Sequence, residues 1–338
     1  MADKFKVVSL GKFGGGPLTA EKKELGSLSV EVELVAARCT TEDELIAAAG
    51  DADAILGGSR FFTRRVMEAL PKCQIIATYS VGYDTIDIQA ATDNNIIVVN
   101  NPAVCWCVEE VSNHALALLL ATAKKLTIQN NLAKQGRWSE IRQILPPMAP
   151  IHGQTLGLIG CGNIGRMTAR KAQCFGLTIL GYDPYVDKSL AEESGINLVS
   201  SLSQLLNESD FVSVHAFLNE ETHHLIGEVE FGQMKPTAFF INTARGPIVD
   251  EVALIKALHE KKIAGAGLDV FEKEPIAPDN PLLKMDNVVV LAHSASYSDT
   301  AIEVNSINPS QEVARVLSGK WPNNPVDGTV KPKTNLAK

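Results

Sequence analysis

The sequence predicts an α/β protein with two domains, and three observations lead to this prediction. The chain has 338 residues, whereas single hydrophobic cores stop growing at roughly 250–300 residues. Two separate stretches show short apolar segments alternating with helix-like ones, which is typical of parallel sheets covered by helices. The second stretch also contains a glycine pattern, Gly160-x-Gly162-x-x-Gly165, at the turn between a predicted strand and a predicted helix.

The first series of alternating elements runs from residue 5 to residue 100. Between two of its strands, TTEDELIAAAG indicates a helix, because Thr41 and Glu44 have the spacing of an N-terminal capping box. Short apolar runs mark the predicted strands, at residues 5–9, 31–36, 53–56, 74–78 and 95–100.

A long apolar helix is predicted next, from about Val108 through VSNHALALLLATAKKL. It is apolar on several sides, so we expect it to be buried between domains or between subunits. The polar stretch that follows, with Gly136 and then Pro146, Pro147 and Pro150, indicates an irregular connection.

A second series begins at Gly153 and has the alternation of a doubly wound sheet. Its predicted strands are residues 155–160, 177–183, 211–216, 238–244, 264–270 and 288–293. The tail from Gly319 onward is rich in Pro, Asn and Lys, and we expect it to fray.

Composition narrows the classes of function. The formal net charge is -8 and the pI is about 5.5, so the surface repels phosphate backbones and argues against nucleic acid as a partner. No apolar run reaches the ~18 residues that a membrane span needs. The six cysteines show no C-x-x-C pair, and the start of the chain lacks a signal-peptide pattern. We therefore expect a cytoplasmic protein with reduced cysteines and no membrane association.

The glycine pattern predicts a dinucleotide-binding turn. Gly160 would allow the tight turn, Gly162 the approach of a pyrophosphate, and Gly165 close packing of helix on strand. The helix N-terminus then faces the phosphates. Asp183 ends the next predicted strand, where a ribose-binding acid is expected; its carboxylate would repel a 2′-phosphate and no Arg follows, which favours NAD over NADP. The alternative is a plain glycine turn beside an Asp that caps the next segment.

Three residues with suitable chemistry stand after later strands of the second series: Arg245, Glu274 and His293. A guanidinium suits a carboxylate and can polarise a carbonyl group. Histidine titrates near neutrality and can supply a proton, and an adjacent carboxylate would orient it. Each residue also has a simpler interpretation, as a structural ion-pair partner, a solvated acid or a loop histidine.

The stretches GLIGCGNIG, YDPY, NTARGPIVDE and GLDVFEKEP, with the histidine downstream, resemble the D-isomer-specific 2-hydroxyacid dehydrogenase family. This family includes glyoxylate/hydroxypyruvate reductases, phosphoglycerate dehydrogenases and C-terminal binding proteins. The similarity runs from about residue 5 to residue 325. It implies that Arg245 binds substrate, that His293 is the acid/base and Glu274 its partner, and that the backbone N–H groups near Val81 and Gly82 hold the substrate carboxylate.

The resemblance also implies further cofactor contacts and a domain arrangement. The implied contacts are Asn163 and Ile164 in the pyrophosphate turn, His215, Ala216, Thr243 and Ala244 in the lining loops, and Asp269 and His293 beside the nicotinamide. A flavodoxin-like substrate domain would comprise residues 1–105 and 297–338. A Rossmann NAD-binding domain would comprise residues 106–296, with the active site in the cleft between the two domains.

Some residues depart from the family pattern. Ala292 stands where Pro usually precedes the histidine, and Ser296 replaces a Trp of the C-terminal-binding-protein-like branch, which would widen or wet the pocket. The segment NNPAVCWCVEEV is about two residues longer than in many relatives. Its Trp106 either reshapes the cleft or makes a surface or subunit contact. Cys105 and Cys107 flank that Trp, but one intervening residue and no nearby His pair argue against a metal site.

These inferences predict an NAD-dependent oxidoreductase that interconverts a small, anionic D-2-hydroxy acid and its 2-oxo acid, of glyoxylate, hydroxypyruvate or phosphoglycerate type. The apolar helix and the family's habit predict a homodimer. The alternative is an NAD(H)-sensing, dimeric interaction protein of the C-terminal-binding-protein type, in which catalysis is incidental.

Overall fold

The computed structural model describes residues 4–11, 18–27, 31–58, 61–101, 106–145, 148 and 150–337. The expectations that concern Cys105, Pro146 and Pro147 lie outside these residues. The chain divides into two compact units, one of residues 1–107 and 297–338 and the other of residues 108–296.

Twelve strands and thirteen helices are found in the described part of the chain. The strands are β1 Phe5–Ser9, β2 Val32–Ala36, β3 Ala54–Leu56, β4 Ile75–Ala77, β5 Ile97–Val99, β6 Thr155–Ile159, β7 Thr178–Tyr182, β8 Asn197–Leu198, β9 Phe211–Val214, β10 Phe239–Asn242, β11 Gly265–Leu268 and β12 Val288–Val290. The helices are α1 Thr19–Leu25, α2 Glu42–Ala49, α3 Arg64–Glu68, α4 Ile88–Asp93, α5 Trp106–Ala123, α6 Leu126–Lys134, α7 Trp138–Ile144, α8 Asn163–Gln173, α9 Lys188–Glu193, α10 Leu202–Glu208, α11 Glu228–Gln233, α12 Glu251–His259 and α13 Asp299–Leu317.

The first unit is built on a five-stranded parallel sheet in the order β2-β1-β3-β4-β5. Its strands are short and apolar because both faces of a parallel sheet are covered. Val8 and Ile55 face one core, whereas Val7 and Leu56 face another that includes Val313 of α13. This strand order is that of flavodoxin-like folds.

The second unit is built on a seven-stranded parallel sheet in the order β12-β11-β10-β9-β6-β7-β8. The order reverses between β6 and β9, as it does in Rossmann folds, where ligands bind at the carboxyl ends of the strands beside this reversal. The predicted α/β class with two parallel sheets is confirmed. Every predicted strand is present, and the two-residue strand β8 is additional.

The segment after α5 differs from the expectation. An irregular connection was expected there, but residues 126–134 and 138–144 form α6 and α7. The break lies at Lys125, whose φ of 52° ends α5 and begins α6. Good helix formers such as Leu126, Ala133 and Lys134 then allow the helix to resume, and this outweighs the polar composition that suggested a loop. Part of the apolar surface of α5 packs against the second unit's own sheet, through Leu118 among others.

The C-terminal tail does not fray, so this expectation is wrong. Trp321 donates its backbone N–H to Ala337 at 2.7 Å, and Lys333 Nζ donates to the carbonyl of Leu70 at 3.0 Å. Val330 is buried in the core that also contains Val313. These apolar contacts hold a polar-looking segment on the first unit. Among the helices of the described residues, none is both long and apolar enough to cross a bilayer.

Candidate active site

The glycine turn between β6 and α8 is fixed by close backbone packing. Gly160 has a φ of +93°, and a Cβ atom there would lie 2.6 Å from the backbone nitrogen of Ala216 at the end of β9. A Cβ on Gly165 would lie 2.3 Å from the carbonyl oxygen of Gly160. A Cβ on Gly162, in contrast, meets nothing within 4 Å. The turn is therefore closed on its protein side and open at Gly162.

The open side of the turn has the features of a dinucleotide-phosphate site. No side chain caps the N-terminus of α8, so the N–H groups of its first turn have no partner within the helix. These groups and the helix dipole favour an anion. Nearby in the topology, after β10, the Thr243 hydroxyl is buried and finds no hydrogen-bond partner in the described chain. An unpartnered buried hydroxyl is costly, and this observation fits a polar ligand at the strand ends.

Asp183 follows β7 and ties two loops together. Its Oδ2 accepts the N–H of Cys161 at 2.8 Å, and its Oδ1 accepts the N–H groups of Tyr185 and Val186 at 2.9 and 3.1 Å. None of the ion pairs found among the described residues involves this carboxylate. Tyr185 in turn donates its hydroxyl to Glu221 Oε2 at 2.5 Å, which places a second carboxylate beside the same loop.

His215 and Ala216 form the wall behind the glycine turn. The N–H of His215 donates to the carbonyl of Ile159 at 2.7 Å, and its Nε2 lies 2.9 Å from Ser213 Oγ. Burial lowers the pKa of His215 to about 4, so the ring is neutral near pH 7. It therefore contributes shape and a hydrogen bond rather than charge.

The loop that carries Arg245 is shaped by a residue that sequence reasoning missed. Asn242 is 1% exposed at the end of β10, and its side chain donates to the Arg245 carbonyl at 2.9 Å and accepts the Ala244 N–H at 3.0 Å. A Cβ on Gly246 would lie 1.9 Å from the carbonyl carbon of Phe271, so this loop lies directly on the segment that leads to Glu274. The signal in the sequence was a lone polar residue ending an apolar strand.

His293 and Glu274 form the hydrogen-bonded pair that the sequence suggested. The distance from His293 Nδ1 to Glu274 Oε2 is 2.7 Å, and Glu274 Oε1 accepts the N–H of Phe271 at 3.1 Å. The His293 side chain is 43% exposed, against 21% for Glu274. A carboxylate at Nδ1 favours the tautomer that carries its proton there, so Nε2 is the nitrogen left for chemistry. The backbone of His293 is left-handed, with a φ of 53°, a conformation that is held by its surroundings when it occurs at functional sites.

Asp269, at the end of β11, supplies those surroundings. Its carboxylate is fully buried and accepts the N–H of Ser294 at 2.9 Å and that of Ala295 at 2.8 Å, while its carbonyl accepts the N–H of His293 at 2.7 Å. Burial disfavours the charged form, but contact with His114 and the two backbone donors outweigh it, and the pKa of Asp269 lies below its usual value. The structure thus shows Asp269 as the support of the His293 turn, and its contact with a nicotinamide stays a prediction.

The predicted carboxylate-binding loop after β4 belongs to the first unit. Each carbonyl of residues 79–82 accepts a hydrogen bond from a side chain, and the donors in order are Asn101 at 3.4 Å, Thr78 at 2.8 Å, Asn100 at 2.7 Å and Ser80 at 2.7 Å. In the described part of the chain, the N–H groups of Val81 and Gly82 donate to no protein acceptor. The loop therefore has occupied carbonyls and two unused donors, which is the arrangement an anion needs.

The residues that depart from the family pattern are exposed. Ala292 and Ser296 flank the His293 turn on the surface, and Trp106 is 47% exposed at the start of α5.

Burial raises the pKa of Cys161 and of Cys73 to about 12, so both are protonated thiols. The described residues contain no group of three or more His, Cys, Asp or Glu that could hold a metal ion.

The second unit has a parallel sheet that carries an open glycine turn, an unpartnered threonine and a His–Glu pair at its strand ends. These features together are typical of dinucleotide-dependent oxidoreductases of the α/β type. The family model "D-isomer specific 2-hydroxyacid dehydrogenase, NAD binding domain" matches residues 116–295, more than half of the chain. The chain belongs to the D-isomer-specific 2-hydroxyacid dehydrogenase family.

Relatives and solved structures agree with this membership. A glyoxylate reductase of Korarchaeum cryptofilum (strain OPF8) is 47% identical over 69% of this chain and 70% of its own length. A D-3-phosphoglycerate dehydrogenase of Methanocaldococcus jannaschii is 37% identical over 94% of this chain but only 58% of its own length. The NADPH-dependent glyoxylate/hydroxypyruvate reductase of Sinorhizobium meliloti, solved with citrate, is 30% identical with a TM-score of 0.82, covering 97% of this chain and 100% of that one.

Proposed function

We propose that the protein reduces a small 2-oxo acid of glyoxylate or hydroxypyruvate type to the 2-hydroxy acid with NADH, and catalyses the reverse oxidation with NAD. The observation that carries this proposal is the His293–Glu274 pair, held at 2.7 Å at the same sheet edge as the open glycine turn. The names of the relatives support the substrate class.

In this proposal each unit contributes one part of the site. The substrate carboxylate is held by Arg245, in a cofactor domain of residues 106–296, and by the unused N–H groups of Val81 and Gly82, in a substrate domain of residues 1–105 and 297–338. A guanidinium fork and two backbone donors suit the two oxygens of a carboxylate. Asn163, Ile164 and the N-terminus of α8 hold the pyrophosphate, and His215, Ala216, Thr243 and Ala244 line the dinucleotide.

The catalytic step uses His293 as a general acid. The bound nicotinamide supplies the hydride for C2 of the substrate. His293 donates its Nε2 proton to the carbonyl oxygen, which becomes the hydroxyl group, and Arg245 stabilises the negative charge that develops on that oxygen. Glu274 keeps the ring oriented through its hydrogen bond to Nδ1. In the oxidative direction His293 Nε2 accepts the hydroxyl proton.

We propose NAD rather than NADP as the cofactor. Asp183 and Glu221 place two carboxylates around the loop after β7, with Tyr185 between them. A ribose 2′-hydroxyl can donate to a carboxylate, whereas a 2′-phosphate is repelled by it. The Sinorhizobium meliloti reductase is NADPH-dependent, so the ratio of kcat/KM for NADH and NADPH tests this part of the proposal directly.

A second candidate function is an NAD(H)-sensing interaction protein, and the relatives reported above do not support it because they carry enzyme names.

We propose that the protein is a homodimer, whichever of the two functions it has. Exposed apolar side chains on α5, α6 and α7 (Trp106, Leu126 and Trp138) support a subunit contact. Light scattering of the purified protein measures the oligomeric state.

The test is an NADH-oxidation assay with glyoxylate, hydroxypyruvate, pyruvate and bulkier 2-oxo acids. We expect turnover with at least one small acid, and a loss of about 10²–10⁴-fold in kcat for His293→Ala, with NADH binding retained. His259→Ala, which removes an exposed histidine at the end of α12, is the matched control. Inactivity of the wild type on the whole panel despite tight NADH binding would favour the sensor. Normal turnover of His293→Ala would contradict the role of His293.

A further inference from the structure

A histidine outside the proposed catalytic set contacts the support of the His293 turn. His114, on α5, has its Nε2 3.3 Å from Asp269 Oδ1. This nitrogen is shielded from solvent and makes no hydrogen bond of good geometry within the described residues. A buried ring nitrogen beside a buried carboxylate needs an explanation, because each would be costly there alone.

The contact follows from how α5 packs on β11. A Cβ on Gly267 would lie 3.0 Å from Leu118 Cβ, so α5 presses directly on this strand. His114 lies one turn before Leu118 on the same face of α5. Asp269 lies two residues after Gly267, and because side chains alternate along a strand, both residues face the same side of the sheet. The glycine in β11 thus brings the helix close enough for His114 to reach the carboxylate.

The charge of Asp269 favours a proton on the ring nitrogen of His114 that faces it. Both carboxylate oxygens already accept backbone N–H groups, from Ser294 and Ala295, as expected of an ionised acid. An unprotonated Nε2 would point a lone pair at this anion in a dry environment, where repulsion is strong. A proton on Nε2 avoids this repulsion and points toward Asp269 across the 3.3 Å contact.

We propose that His114 is a positioning residue, which holds the Asp269 carboxylate in place and through it the turn of residues 293–295 that presents the His293 ring. This inference rests on the proposed function for its catalytic consequence, but its structural part stands apart from any substrate. Without His114, the described partners left to the Asp269 carboxylate are Ser294 and Ala295, which belong to the turn that it supports. The left-handed backbone of His293 is then held less firmly.

Two substitutions separate positioning from simple packing. His114→Gln keeps an N–H donor within reach of Asp269, whereas His114→Leu keeps the bulk but removes the donor. His259→Leu, at the exposed end of α12, is the control for loss of a histidine.

Hydrogen exchange of the cofactor-free protein measures the turn itself. We expect the amides of Ser294 and Ala295 to exchange about tenfold faster or more in His114→Leu, with wild-type protection in His114→Gln and His259→Leu. In turnover, kcat of His114→Leu should fall about tenfold to a hundredfold while KM for NADH stays within about twofold, because a small misplacement of a catalytic group is costly. His114→Gln should recover most of the kcat.

A measurement on the wild type covers the case in which His114→Leu does not fold. Two-bond ¹⁵N–¹H spectra of histidine-labelled protein, assigned with His114→Gln, report which ring nitrogens are protonated. An unprotonated Nε2 on His114 at pH 7 overturns the proposal, as does unchanged exchange at Ser294 and Ala295 in His114→Leu, or an equal loss in the Leu and Gln variants. If the wild type reduces no 2-oxo acid, the proposed function fails, while the exchange and ring-nitrogen results still decide the role of His114.

Discussion

The turn of residues 160–165 and the loop of residues 79–82 both offer backbone N–H groups to an anion, but they are held in opposite ways. The turn is fixed by the absence of side chains, since a Cβ on Gly160 or Gly165 would collide with backbone atoms. The loop is fixed by the presence of side chains, since four polar donors occupy its carbonyls. An anion site can therefore be held by close packing or by hydrogen bonds. We expect substitutions to damage the first kind through steric overlap and the second through the loss of single contacts.

The largest effect is expected from filling the closed side of the turn. Gly160→Ala combines a left-handed backbone (~1–2 kcal/mol) with overpacking against Ala216 (~1–3 kcal/mol), so urea unfolding should show a loss of about 2–5 kcal/mol. The matched variant is Gly162→Ala, where φ is -66° and nothing lies within 4 Å, so stability should change by less than about 1 kcal/mol while NADH binding weakens. Unchanged NADH affinity in Gly162→Ala would show that the dinucleotide does not use the open side.

Stability at acid pH also tests how the turn is packed, because the neutral ring of His215 lies behind it. The folded pKa of His215, about 4, lies below the unfolded value near 6.5, so the unfolded chain takes up a proton first and stability is lost as the pH falls through this window. Between pH 7 and pH 5 this group alone should cost about 2 kcal/mol. Urea unfolding of wild type and His215→Gln at both values measures the difference, and parallel losses in the two proteins would argue against a buried neutral ring.

The smallest effect is expected in the loop. Asn100→Ala removes one of four carbonyl contacts, worth about 1 kcal/mol, so KM for the 2-oxo acid should rise about fivefold with NADH affinity unchanged. Asn207→Ala, which removes an exposed asparagine on α10, is the control and should leave both constants alone. If NADH affinity falls together with substrate affinity, the loop acts on the whole fold rather than on the carboxylate.

The same contrast explains what could be predicted from sequence. The strands and the glycine turn are local features, since apolar runs and the Gly160–Gly165 spacing depend on neighbours in the chain. The residues that were missed act at a distance: Asn100 holds Val81 from the next strand, and His114 reaches Asp269 from a helix more than a hundred residues away. A single sequence gives no signal for such contacts.

The His293–Glu274 pair shows both what the sequence can predict and what it cannot. His293 and Glu274 were proposed from their chemistry and from the resemblance, and the structure brings them within 2.7 Å. The buried support beneath them, Asp269 with the N–H groups of Ser294 and Ala295, was assigned only to the cofactor. Likewise, α6 and the ordered tail were missed because polar composition suggested loops where helix propensity and a few apolar anchors decide the structure.

Asp183 has a consequence for anyone who wishes to exchange the coenzyme of this protein. The carboxylate that would reject a phosphorylated ribose also accepts three backbone N–H groups and so fastens the first loop to the second. Replacing Asp183 with a neutral or basic residue to admit the phosphorylated coenzyme removes these hydrogen bonds between the two loops. Asp183 is thus a structural acceptor as well as the proposed selectivity residue, so redesign must supply a new acceptor for the Cys161 and Tyr185 amides before it changes the charge.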